Sequence, residues 1–163
     1  MADKPLHEQK YNEDVDVETM LEEGAVLAKI FIEVQGNDKK TAKQALDVTV
    51  KENLLKEVKA ALLEVRMFDL EKYGDKKKSI FSGVAEVKLL ADDFPSFVSL
   101  VMRYGPSAIE IIKPQEVRLD YEQMHTLVSD ASAMAQVYSM KIMTMLKDPE
   151  RKLIYDTMLG KRE

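Results

Sequence analysis

The stretch AVLAKIFIEV, residues 25–34, decides how the rest of the chain is read. Successive side chains of a strand alternate between faces. Val26, Ala28, Ile30, Ile32 and Val34 therefore share one face, and Leu27, Lys29, Phe31 and Glu33 share the other. The first face is wholly apolar; the second mixes charge with bulk. A strand inside a parallel sheet is apolar on both sides, so this one predicts a sheet packed on helices through one face only.

Beyond this strand, Gln35, Gly36 and Asn37 make a turn, and Asp38 stands where an N-cap accepts the first free amides of a helix. Ala42, Ala45, Leu46, Val50, Leu54 and Val58 recur at three or four residues, so the helix runs to about residue 60 with one stripe toward the sheet. Lys51, Glu52 and Asn53 interrupt it, marking a kink or its true end. Residues 61–70 alternate again, with Ala61, Leu63, Val65 and Met67 on one side and Leu62, Glu64, Arg66, Phe68 and Leu70 on the other. A turn with a basic run, residues 73–78, leads to a third alternating strand at 79–89 that closes a hairpin. There Phe81, Gly83, Ala85, Val87 and Leu89 oppose Ser82, Val84, Glu86 and Lys88.

Asp92 or Asp93 then opens a second helix with Pro95 in its first turn, where a missing N–H costs nothing. Phe94, Phe97, Val98, Val101 and Met102 form its buried side, and Gly105 with Pro106 stops it. Residues 107–112 are a short fourth strand. The order strand, helix, strand, strand, helix, strand is that of the ferredoxin-like split βαβ arrangement. The expected fold is thus α+β: a ferredoxin-like βαββαβ sandwich with a four-stranded antiparallel sheet in the order 4-1-3-2, followed by a long C-terminal helix and a short terminal one. Its divisions are an acidic, mobile arm at 1–23, the ferredoxin-like domain at 24–114 and a helical extension at 115–163.

In the extension, Asp120 and Gln123 have capping-box spacing. Met124, Leu127, Val128, Ala131, Met134, Tyr138, Ile142 and Met145 mark one stripe, and Ala133, Val137 and Met140 a second. A helix apolar over so wide an arc has neighbours on more than one side. The expectation is that it covers the open sheet face of its own chain and pairs with a partner subunit, with Met134, Val137, Tyr138, Met140, Ile142 and Met145 as the assembly residues. Five of the ten methionines lie within 124–145, where they act as adaptable filler. Asp148 and Pro149 open a last short helix with Leu153, Ile154 and Met158 apolar and Gly160 as its stop.

Charge and composition narrow the function. Of a net −5, residues 1–24 carry −6 and the remainder +1, so the body lacks the basic excess of a nucleic-acid binder. There is no cysteine for disulfides or thiolate metal sites. No apolar run is long enough to cross a bilayer, and the start lacks the apolar region of a signal peptide, which leads to an expectation of a soluble, cytoplasmic protein with no membrane partner.

No constellation specifies catalysis. Glu122 and His125 have the Glu-x-x-His spacing of di-iron bundles, but the second pair and the further glutamates are missing. Residue types for Ser-His-Asp chemistry occur without a nucleophile elbow. No cofactor and no metal are expected. Gly36, Asn37 and Asp38 join a strand to a helix whose amides could meet an anion, but Asp38 puts negative charge there and no phosphate-loop glycine pattern follows. Phe31 and Phe68 with Lys29 and Arg66 form the surface an RNA reader would use, opposed by Glu33, Glu64 and Glu86 and by the lack of an aromatic-rich third strand.

In element order, residues 25–112 resemble small regulatory modules of the ACT type, with Gly36 and Asn37 at the turn where such modules bind effectors. That resemblance implies pairing through sheets or helices and a small-molecule effector. The first expectation is therefore a non-enzymatic, homo-oligomeric interaction or regulatory protein. An RNA-binding module on the open face is the alternative, and an enzyme with a site between subunits, built on Glu122 and His125, is the weaker one.

Overall fold

In the computed structural model the described residues are 5–74 and 79–158, with side chains to 157. The basic run at 75–78, Gly160 and the side chain of Met158 lie outside them. The chain divides into two compact units, residues 1–120 and 121–163.

The first unit is a mixed α+β structure built on an antiparallel sheet. Its strands are β1 (His7–Lys10), β2 (Val26–Gly36), β3 (Ala60–Met67), β4 (Glu71–Tyr73), β5 (Ile80–Ala91) and β6 (Ala108–Lys113). They lie in the order β1-β3-β5-β2-β6, with β4 beside β5. The sheet therefore has six strands rather than the expected four. β1 pairs along β3, so part of the acidic segment predicted as a mobile arm is an edge strand. The alternation in residues 25–34 holds: Val26, Ala28, Ile30 and Ile32 are buried in one core with Val87, Leu89 and Val65.

The helices α1 (Val17–Glu22), α2 (Lys39–Asp47) and α3 (Phe94–Tyr104) accompany the sheet. α2 and α3 place Leu46, Phe97 and Leu100 in the main core. α1 sits on the opposite face, where Met20 and Leu21 pack on Ala25, Leu27 and Leu90. That face is consequently not wholly open. Asp93 caps α3 by accepting the Ser96 amide at 2.7 Å. Gly105 ends it in the left-handed region, φ 53°, where a side chain would be strained.

Three local departures from the predicted pattern have physical causes. After Asp47 the helix widens into a π-turn, Val48–Asn53, and then tightens into a 3-10 turn, Leu54–Lys56. Ala42, Leu46, Val50 and Leu54 are four apart, and in an α-helix each such step drifts about 40° around the axis. A wider turn opposes that drift and keeps all four buried. Thr49 donates its hydroxyl to the Ala45 carbonyl at 2.9 Å at this transition. The chain has left the helix by Glu57, so Val58, predicted on the stripe, is 93% exposed.

A bulge at Leu63 is the second departure. Leu62 pairs with Leu89 and Glu64 with Lys88, leaving one extra residue between them. The predicted faces therefore change over at this point, with Leu62 in the main core and Leu63 against the α1 cluster. The main chain after β1 anchors the bulge: the Tyr11 amide donates to the Leu63 carbonyl at 2.9 Å, and the Asn12 side-chain amide donates to the Leu62 carbonyl at 2.8 Å. The third departure is in α3, where Leu100 is buried while Val98 and Met102 are only half-buried.

The second unit contains α4 (Tyr121–Met145) and α5 (Asp148–Met158). α4 starts directly after Asp120, as the capping-box spacing predicts. At the start of α5 the Glu150 carboxylate accepts the Lys147 amide at 2.8 Å. Among the described residues no helix is long and apolar enough to cross a membrane.

Candidate functional site

Strand register brings Lys29 and Arg66 onto one surface and surrounds them with carboxylates. Across one row stand Ala108, Phe31, Glu86, Arg66 and Glu8; across the next stand Glu110, Lys29, Lys88, Glu64 and Lys10. Glu86 Oε1 lies 3.5 Å from both Lys29 Nζ and Arg66 Nη1, bridging the two cations. Lys29 also reaches Glu110 at 3.7 Å, and Arg66 reaches Glu64 at 2.7 Å and Glu8 at 3.4 Å. Glu64, followed by the other carboxylates, holds the Arg66 guanidinium above its ordinary pKa. Both cations that an RNA reader would offer to phosphates are thus engaged by glutamates. A phosphate approaching this surface would have to compete with them and would meet their negative charge.

Phe31 is half-buried beside Glu86 in the first of these rows, and Phe68 is half-buried just past the end of β3. A cleft of about 470 Å³ beside Phe68 has Leu6, Asp69, Glu71, Tyr73, Ser82 and Val84 among its lining residues. Ser82 is buried and donates to Glu33 at 2.7 Å. That bond, then one from Gln35, keeps the Glu33 carboxyl below its usual pKa. Tyr73 donates its hydroxyl to Glu71, which raises the phenol's pKa. Among the described residues the lining is aromatic and acidic, and such a lining suits a ligand presenting an apolar body and a positive group.

The predicted turn behaves as a capped helix start. Thr41 donates both its amide, 2.8 Å, and its hydroxyl, 2.7 Å, to Asp38. The hydroxyl first and the amide second lower the Asp38 pKa. The carboxylate occupies the place an anion would take. Gly36 lies close against α2: a Cβ on it would come within 3.2 Å of the Ala42 Cβ. Asn37 is exposed between them.

On α4 the predicted residues Val137, Tyr138, Met140, Ile142 and Met145 are exposed, Met134 is half-buried, and none of the helix's side chains is buried. His125 stacks on Tyr121, with ring centroids 6.3 Å apart. Among the described residues no group of three or more His, Cys, Asp or Glu is arranged to hold a metal ion. What the sequence reading left out is a further charged cluster, in which Glu57 accepts bonds from Arg103 at 2.7 Å and Tyr104 at 2.5 Å. Burial, then the bond to Glu57, pushes the Tyr104 phenol up to about 12. It joins two segments 46 and 47 residues apart, which no local motif announces.

The molecule is of the mixed α+β class, an antiparallel sheet unit followed by a unit with a long helix. The profile of the MJ0538 family matches residues 27–151, and the chain belongs to that family. The matched stretch runs from β2 through α4 and into α5. No curated protein and no solved structure matched the chain.

Proposed function

We propose that this protein is a non-enzymatic, oligomeric interaction protein of regulatory type, in which α4 assembles chains and the sheet unit carries an effector site. The observation that supports this reading is a 25-residue helix that buries none of its side chains while exposing Val128, Tyr138, Ile142 and Met145. Isolated helices are marginal in water, and helical stability in proteins comes mainly from packing an apolar face. A large exposed apolar surface on a soluble chain marks an interaction site.

The sheet unit is read as a ferredoxin-like core to which β1 and β4 are added, since β3-β5-β2-β6 is the 4-1-3-2 order read from its other end. Its cleft beside Phe68 and Tyr73 is the place for a small cationic or aromatic effector, in preference to the turn that Asp38 already fills. The pairing of Lys29 and Arg66 with glutamates argues for protein and small-molecule partners over nucleic acid. An assembly melts at a temperature that rises with its concentration, because association stabilises the native state by mass action. Thermal melts across a hundredfold range of chain concentration test the proposal: a rising midpoint is expected, and a constant one contradicts it.

A further inference from the structure

We infer that α4 packs against α4 of a second copy of this chain along one heptad seam. The inference rests on the assembly reading above and names its partner and its contact line. Tyr121, Met124, Val128, Ala131, Ala135, Tyr138, Ile142 and Met145 follow one another at steps of three and four without a break. They fill each a and d position of a heptad from one end of the helix to the other. All eight are exposed.

The repeat identifies the kind of occupant. An α-helix drifts about 20° per heptad from a seven-residue repeat, so a seam of this length stays in contact only with another helix that supercoils around it. The flanks agree. The e positions are His125, Ser132 and Ser139, and the g positions are Leu127, Met134 and Lys141. The two acids of the helix, Glu122 and Asp130, fall at b and c, away from the seam. Ala131 and Ala135 lie at its middle and allow two backbones to approach closely there.

At 1.5 Å per residue, the 25-residue helix is about 37 Å long. Its seam and the adjoining g residues offer apolar area on the order of the 800 Å² per partner that a stable interface buries. A second copy of the seam offers the same row of apolar and aromatic side chains.

Val137 and Met140, which the sequence pattern assigned to assembly, are as exposed as the seam residues, at 58% and 70%, but fall at c and f, outside the seam. They separate this seam from general stickiness of the helix. The test is the light-scattering mass of the full chain beside Val128→Glu, Ile142→Glu, Val137→Glu and Met140→Glu. Glutamate is a good helix former at exposed sites, and far-UV circular dichroism of each variant checks that the fold is kept. The seam variants are expected to weaken association by about thirtyfold or more, as at an interface hot spot, and to run as monomers, with the other two still assembled. If the unaltered chain is assembled and the Val137 or Met140 variants dissociate it as readily, the seam is wrong and the assembly reading survives. A monomeric unaltered chain overturns both.

Discussion

Asp38 shows how one side chain can close a site that its position suggests. Thr41 donates to it twice, so its carboxylate is satisfied within its own helix and its pKa is lowered from the ordinary 3.8. A group with a lower pKa folded than unfolded contributes stability fully above the unfolded value and loses it as pH falls through the folded one. Asp38→Asn, which keeps a capping oxygen but does not titrate, is therefore expected to give up the charge-dependent part of the cap at neutrality and to make acid destabilisation shallower below about pH 4. Denaturant midpoints across that range check it; an unchanged acid limb contradicts it. At this scale the sequence was readable for Asp38, because the cap and its donor, Thr41, are three residues apart. It was not readable for Lys29 and Arg66, whose shared partner Glu86 stands on another strand and is found only once register is known.

The elements divide along the same line. β2 and β5 announce themselves because each has an apolar face against the core and a polar one away from it. All four residues of β1 are exposed, so the strand has no face to make a period, and its pairing to the β3 edge leaves no trace in its sequence. The bulge at Leu63 is silent for another reason: every residue from Ala60 to Leu63 is apolar, so either face suits them. The π-turn after Asp47 could be glimpsed as an interruption, but where the helix ends decides which side chains it buries. Leu54, 1% exposed, and Val58 were placed on one stripe and have opposite fates. Leu54→Ala is expected to cost about 2–5 kcal/mol as a core truncation, whereas Val58→Ala should stay within about 0.5 kcal/mol. Urea unfolding of the two variants measures the contrast, and equal losses would show that the helix runs on past Lys56.

At the scale of the whole molecule, the first unit has its own core, made of residues between Ala25 and Leu100, and none of those residues belongs to α4 or α5. The match to the family nevertheless spans both units, from β2 into α5. The helix was legible as an element from its capping spacing and apolar content, and the heptad could have been read from the same residues. Its partner could not, because a seven-residue repeat names a second helix without saying whose. On the proposal above, the sheet unit folds by itself and α4 assembles it. The most direct measurement is the light-scattering mass of the full chain beside a chain ending at Asp120. At least twice the 18.6 kDa chain mass is expected for the full protein, and a folded monomer for the shortened one. A monomeric full chain, or a shortened chain that remains assembled, would contradict it.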